Sequence, residues 1–417
     1  MKILVLGSGA REHAIIKALI RTGTPASEVV CAPGNAGIAG DVYCANIDSN
    51  NPTQVTEYAR THGFELAIIG PEAPLVAGVS DALRAAGIAV FGPSQKAAQL
   101  EGSKSFAKEI MAAADVPTGM ARECDNLDQV EAAMDQFGAP YVIKADGLAA
   151  GKGVIVTSDR AAALEHARKF IDMGVLVEEF LEGEEVSLFF LSDGVTVLPL
   201  TPAQDFKRAF DGDAGPNTGG MGAYSPLPWL PEGFVEEVQR TVAQPTVDEM
   251  AKLGEPFVGL LYCGLIVTKR GIRVIEFNAR FGDPETQVVL RRLLSPLAGL
   301  LRAAATRSLM NIGTPVFSED VAVTVVLASE GYPEKSAPNR PITGLDLAEA
   351  GKGIEVCHAA TALVDGQLTA TGGRVLSVVA TGHDFHHARK HAYEAIEKIG
   401  LKGSHYRRDI AKKVAHS

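Results

Sequence analysis

Long apolar runs are missing from this chain. None reaches the ~18 residues that a membrane-spanning helix requires, so no membrane partner is expected. Cysteine is scarce and scattered: Cys31, Cys44, Cys124, Cys263 and Cys357, with no CxxC pair among them. That usage fits neither a disulfide framework nor a zinc site. It fits buried free thiols in a reducing compartment, and a cytoplasmic location is expected. Basic residues are in the minority, with 39 Lys and Arg against 50 Asp and Glu and a net charge of −11. A nucleic-acid partner needs a basic face that displaces counterions, and none is expected here. Small phosphorylated ligands stay open, because a few placed cations can hold them locally. No internal repeat recurs at a solenoid period. The opening MKILVLG has no apolar leader or small-residue cleavage site before it, so no processed signal is expected.

What is there reads as an ordinary globular protein, 46% hydrophobic and 21% charged over 417 residues. At ~100–200 residues per domain, two to four domains are expected. Residues 1–92 alternate short apolar strands (2–6, 28–31, 66–69, 88–91) with helices (11–21, 52–62, 75–86). This pattern predicts a parallel sheet covered on both faces. Gly or Pro stands at each strand end, namely Gly7, Pro33-Gly34, Gly70-Pro71 and Gly92-Pro93. Ligands of open α/β sheets sit at such carboxyl ends. A helix over 104–114 is followed by a compact α+β stretch to about residue 185, the size of a small lid. Then come strands, a long loop over 203–231, two helices and a strand pair at 257–269 and 271–278. Alternating strands from 321 and a helix over 387–399 close the chain. The expected domains are 1–100, a lid at 118–186, a central domain from 101–117 plus 187–318, and a C-terminal domain at 319–417. The fold class is α/β and α+β multidomain.

Several motifs carry chemistry. In Ile275-Glu276-Phe277-Asn278, a strand would point Glu276 and Asn278 to one face and Phe277 to the other. A carboxylate and an amide oxygen side by side suit Mg²⁺, which takes oxygen ligands and keeps sites for water and phosphate. The bland alternative is a solvated strand face. Against it, Arg280, Asp283 and Glu285 follow at once. The stretch from Lys144 to Gly153 is a strand-end lysine followed by a Gly/Ala-rich turn and Lys152. Such a turn lets backbone N–H groups approach phosphate oxygens. It is not a Walker A loop, because only three residues separate Gly147 from Gly151 and Gly153 follows Lys152. A flexible hairpin with solvated lysines is the competing reading.

The acids of 177–185 would usually form a solvated face. Here they interrupt strands at a hinge, where backbone groups can meet adenine and Glu185 a ribose. Gly7-Ser8-Gly9-Ala10-Arg11-Glu12 departs from a dinucleotide fingerprint at its third glycine, and no acid closes the second strand. A helix N-terminus with Arg11 in its first turn remains, a place for one phosphate. The loop running from Asp205 to Pro226 is long enough to be functional or disordered.

With these residues in view, the chain resembles the ATP-grasp superfamily and, within it, the glycinamide ribonucleotide synthetase family. The resemblance rests on GSGAREHA (7–14), GNAG (34–37), GPEAPL (70–75), EGSKSFAK (101–108), KADGLAAGKGV (144–154), EEFLEGEEVS (178–187), DGDAGPNTGGMGAYSP (211–226), EFNARFGDPE (276–285) and GGRVLSVVATG (372–382). Ala10 and Phe206 depart from the family pattern, which has Gly and His there. The resemblance implies an ATP-grasp fold with an N-terminal parallel-sheet (pre-ATP-grasp) domain and a small C-terminal mixed α/β domain. It implies ATP, glycine and 5-phosphoribosylamine as substrates and Mg²⁺, with Mn²⁺ as the alternative, as the metal.

The roles it implies are as follows. Glu276 and Asn278 hold metal. Lys104, Lys144, Gly151, Lys152, Gly153, Glu178, Phe180, Leu181 and Glu185 hold ATP. Gly9, Arg11, Glu12 and Glu72 meet phosphoribosylamine. Asp205, Lys207, Asn217, Gly220 and Gly222 enclose glycine. Arg280 meets transferred charge or substrate phosphate, and Arg280, Lys144 and Asp205 take part in the chemistry. A monomer or weak dimer is expected, with no later pathway enzyme fused to it. Two rivals stay open: another ATP-grasp carboxylate–amine ligase, and a non-catalytic nucleotide-binding protein.

Overall fold

The computed structural model describes residues 1–147 and 153–416. The N-terminal apolar runs become a five-stranded parallel sheet of Ile3–Gly7, Val29–Pro33, Tyr43–Cys44, Leu66–Ile69 and Ala89–Phe91. Ile3–Gly7 lies between Val29–Pro33 and Leu66–Ile69, so the strand order reverses beside it. Its carboxyl end is therefore the switch point at which such sheets bind ligands. Ile3, Leu4, Val5 and Leu6 are wholly buried, as a strand covered on both faces requires. Glycine at the strand ends has a local reason. The buried Glu12 side chain folds back over them, and a Cβ on Gly7 or Gly70 would fall 2.6 or 2.2 Å from it. The helix expected over 75–86 is two pieces, Glu72–Val76 and Val79–Ala85. Gly78 between them takes φ 80°, a left-handed turn that ends the first helix.

The lid is a four-stranded antiparallel sheet, ordered Ala121–Cys124, Val175–Glu178, Tyr141–Ala145, Val154–Thr157. Leu127–Phe137 and Arg160–Phe170 are its helices. Asn126 and Asp159 cap them, accepting hydrogen bonds from Gln129 N and Ala161 N at 3.0 and 2.9 Å. Val130, Met134, Ile143 and Val177 belong to a hydrophobic cluster confined to this lid.

The central sheet is antiparallel, ordered Val197–Pro199, Glu184–Asp193, Val258–Thr268, Gly271–Asn278. Its last pair carries a bulge: Gly264 faces Glu276 and Leu265 faces Val274, leaving Ile275 over. A bulge frees a backbone group and re-aims the next side chain.

The residues expected as a loop over 203–231 instead contain four short strands. Arg208–Phe210 pairs with Ala214–Asn217, and Gln204–Asp205 and Gly222–Ser225 join a third sheet. That sheet continues through Val321–Ala328, Arg374–Gly382 and Ile354–His358, so it crosses the boundary drawn at 318/319. Composition hid this strand: Gly222 reads as loop, yet a Cβ there would meet Thr324 O at 2.7 Å. The helix Phe385–Ile396 packs on the sheet, capped by Asp384.

Phe281 joins the N-terminal and central sheets. Wholly buried, it lies 6.0 Å from the Phe91 ring and 5.9 Å, edge on, from Phe189. Phe281→Ala should therefore lower stability by about 3–5 kcal/mol, read from urea unfolding midpoints. Phe281→Leu should lose less.

Candidate active site

A cleft of about 1620 Å³ opens between the lid, the central sheet and the carboxyl ends of the N-terminal strands. Its cations come from separate elements. Lys104 begins the helix Lys104–Ala113, which Ser103 caps. The lid binds to that same helix start: the Asp146 carboxylate accepts hydrogen bonds from Lys104 N at 2.6 Å and Ser105 Oγ at 2.7 Å. An anionic side chain is well placed at a helix N-terminus. Lys104 Nζ then donates to Gly147 O at 3.1 Å. Burial lowers the Lys104 pKa, even with Glu276 nearby holding the proton.

Lys144 leaves the lid strand buried. Its Nζ pairs with Glu178 at 3.0 Å and donates to Ile275 O at 3.2 Å, the carbonyl next to the bulge. Glu178 also meets Lys108 at 3.6 Å, so one carboxylate serves two lysines. Burial lowers the Lys108 pKa as well, with Glu178 opposing.

Glu276 and Asn278 both line the cleft. Phe277 between them is buried in the core. Burial by itself would raise the Glu276 pKa. Lys207, Lys144, Lys104 and Arg280 around it outweigh that, and the carboxylate lies below its ordinary value. Two oxygen donors ringed by cations suit a divalent metal shared with phosphate oxygens.

Arg280 sits between Glu101 at 2.8 Å and Glu72 at 3.5 Å and donates to Asn278 Oδ1 at 3.4 Å. Burial would lower its pKa, but Glu101, Glu72 and Glu285 outweigh burial and keep it charged. Arg280 and Arg11 both donate to Phe281 O, each at 3.2 Å. Arg11 also pairs with Glu12, which accepts from Gly9 N at 2.6 Å.

On the third side, Lys207 pairs with Glu185 at 2.5 Å. Nearby Asp205 is pushed up to about 7, first by burial and then by Glu285 and Glu185, with Lys207 opposing. Glu285 is itself buried, accepting from Ser187 Oγ at 3.1 Å and from the Tyr262 hydroxyl.

The cleft thus gathers Arg11, Glu72, Lys104, Lys144, Gly153, Glu178, Phe180, Leu181, Glu185, Asp205, Lys207, Asn217, Glu276, Asn278 and Arg280. Other expected residues sit off its wall. Glu12 is buried under the Gly9 turn, Gly222 lies inside the third sheet, and Gly220 packs on Pro284. Gly151 and Lys152 fall outside the described residues. Sequence reasoning gives no role to Glu101, Asp146, Asp283, Tyr262 or Arg374. All but Tyr262 stand inside the family motifs, and Asp283 is noted there only as a carboxylate after Arg280. Arg374 comes from the strand Arg374–Gly382, and no local pattern points it at this cleft.

Comparison with known proteins places the chain among related sequences. Three family profiles match in tandem: phosphoribosylglycinamide synthetase N domain at residues 1–101, ATP-grasp (A) domain at 102–286 and C domain at 322–413. A phosphoribosylamine–glycine ligase of Leifsonia xyli is 64% identical, covering 99% of both chains. One from Streptomyces coelicolor is 57% identical over the full length of both. The crystal structure of the Thermotoga maritima phosphoribosylamine–glycine ligase superposes with a TM-score of 0.85 at 32% identity, covering 98% of this chain and 100% of that one. The biotin carboxylase domain of a Hydrogenobacter thermophilus 2-oxoglutarate carboxylase shares the fold, with a TM-score of 0.71 at 18% identity, covering 97% and 91%.

The elevated Asp205 pKa gives a signed prediction. The unfolded carboxyl titrates near ~3.9 and the folded one near 7. Ionisation therefore costs stability as pH rises through that window, and the cost is complete above it. Asp205→Asn removes the cost. Its gain in melting temperature over the unsubstituted protein should be larger at pH 8 than at pH 5.

Proposed function

The chain belongs to the phosphoribosylglycinamide synthetase family, and on that premise we propose that it joins the carboxylate of glycine to the amine of 5-phosphoribosylamine. ATP is split to ADP and phosphate, the product is glycinamide ribonucleotide, and the reaction is a step of purine biosynthesis. The observation that carries this reading is the Glu276–Asn278 pair facing a cleft that Lys104, Lys144 and Lys207 also line.

A carboxylate is a poor acyl donor, so the γ-phosphoryl group first passes to glycine and makes glycyl phosphate. Most of what the protein supplies for such a transfer is position and charge neutralisation. Lys104 and Lys144 hold the ATP phosphates, and Gly151, Lys152 and Gly153 are assigned to ATP with them. Glu178, Phe180 and Leu181 flank adenine at the hinge. Glu185 meets the ribose, which requires it to share or release Lys207. Glu276 and Asn278 would hold a divalent metal, Mg²⁺ or Mn²⁺, which would supply neutralisation of charge on the ATP oxygens. Arg280, already fixed by Glu101 and Glu72, faces the charge that moves with the phosphoryl group.

At the other end, Gly9, Arg11 and Glu72 receive phosphoribosylamine, with Glu12 holding the Gly9 turn. Asp205, Lys207, Asn217 and Gly220 enclose glycine, and Gly222 shapes the strand behind them. Closure of the lid excludes water that would hydrolyse glycyl phosphate. No helix among the described residues is long and apolar enough to cross a membrane. The five cysteines are unpaired, four of them buried and Cys44 half-buried. Both observations favour the cytoplasm, and we take the working assembly to be a monomer or weak dimer.

Release of ADP in a substrate screen tests the reaction. Strong turnover should need glycine and phosphoribosylamine together; formate or bicarbonate serving in place of glycine would point to a different ligase. Glu276→Ala should cut metal-dependent turnover by at least about 100-fold while leaving the unfolding midpoint near that of the unsubstituted protein. Near-normal activity in magnesium would remove Glu276 from the metal site.

A further inference from the structure

Arg374 reaches the cleft from the start of the third sheet's strand Arg374–Gly382. Arg374 Nη1 donates to Gly219 O at 2.6 Å, Asp283 O at 2.9 Å and Gly220 O at 3.3 Å. Its Nη2 lies 3.3 Å from Asp283 Oδ2. That guanidinium is too fully engaged to serve as the seat of a free anion. Asp283 is different. A carboxylate accepts at roughly four lone-pair positions. One oxygen takes a hydrogen bond from Gln287 Nε2 at 2.8 Å, the other faces Arg374, and accepting positions remain.

The place of Asp283 in the cleft is set by its neighbours. Asn278 meets Arg280, and Arg280 and Arg11 share the Phe281 carbonyl. Asp283 follows two residues later, with Oδ2 3.9 Å from where a Cβ on Gly9 would stand. It therefore lies beside the turn at the end of the first strand. Asp283 and the metal-type oxygens of Glu276 and Asn278 line the same cleft.

We propose that Asp283, oriented by Arg374, is a catalytic residue that receives the acceptor amine. This rests on the ligase reading above and names the group that serves its second half-reaction. The amine lone pair forms the new C–N bond to the carbonyl carbon of glycyl phosphate. The bond from that carbon to the phosphate oxygen breaks, and phosphate leaves with the electron pair. The nitrogen, strongly acidic once its lone pair is committed, gives a proton to a free Asp283 lone pair. Asp283 passes it to phosphate or solvent. Arg374 acts through Asp283 and is a positioning residue.

Hydroxylamine separates the two halves of the reaction. As a small nucleophile it captures glycyl phosphate as glycine hydroxamate without needing a seat for phosphoribosylamine. Asp283→Asn should keep ATP-dependent hydroxamate formation within about 3-fold while ligation to phosphoribosylamine falls by about 100-fold or more. Arg374→Lys keeps a cation beside Asp283 but cannot reach the same acceptors. It should show the same split to a smaller degree, with a raised KM for phosphoribosylamine. Should Asp283→Asn fail to fold, Asp283→Ser takes its place. Ligation within about 3-fold of the unsubstituted enzyme overturns the proposal, as does an equal fall of both activities in a folded variant. If the unsubstituted enzyme makes hydroxamate but does not ligate phosphoribosylamine, or makes no hydroxamate from glycine at all, the ligase reading itself falls, and this proposal with it.

Discussion

An ionised carboxylate deep in a cleft has to be kept ionised, and Glu276 is kept so by cations drawn from separate parts of the chain. Lys104 starts a helix, Lys144 comes from the lid, Lys207 from the third sheet's approach and Arg280 from the turn after Glu276 itself. Burying any of these charges alone would be costly. Together they balance, and Glu178 completes the set by serving Lys144 and Lys108 at once. The relative placement of three sheets thus answers an electrostatic requirement at one point. An arriving polyphosphate would find the cations already assembled, with little reorganisation left to do.

The lid meets that arrangement on different terms from the other domains. Its apolar side chains form a cluster of their own, whereas those of the N-terminal, central and C-terminal parts run together in larger clusters. What ties the lid down is polar. Asp146 sits on the start of the Lys104–Ala113 helix, Lys144 reaches Ile275 O, Glu178 meets Lys108, and Glu179 meets Arg270. Polar ties of this kind can be exchanged for ligand contacts without exposing a core. A body joined in this way is suited to hinge motion.

Much of this was legible from residue patterns, for reasons that can be named. The strands Leu66–Ile69 and Val175–Glu178 and the helix Pro52–His62 have the bounds that apolar runs and Gly or Pro punctuation indicate. The Glu276–Asn278 face followed from the two-residue period of a strand. What stayed hidden depended on contacts distant in sequence. Gly222–Ser225 is a strand because Val321–Ala328 lies beside it, and nothing within its own four residues says so. Gly78 splits a helix whose flanks both read as helical. Arg374 acquires meaning only from Gly219, Gly220 and Asp283, residues far from it along the chain. The motifs exposed the chemistry because reacting groups cluster locally; the framework that aims them does not.

The third sheet also sets a schedule for the growing polypeptide. Gly222–Ser225 pairs only with Gln204–Asp205 before it and Val321–Ala328 after it. Emerging from a ribosome, it must wait for roughly a hundred further residues, some 5–20 s at ordinary rates of synthesis. The parallel sheet and the lid are complete well before that moment. The segment flanking the cleft's third wall is therefore fixed after the parallel sheet and the lid, and the strand that carries Arg374 follows later still.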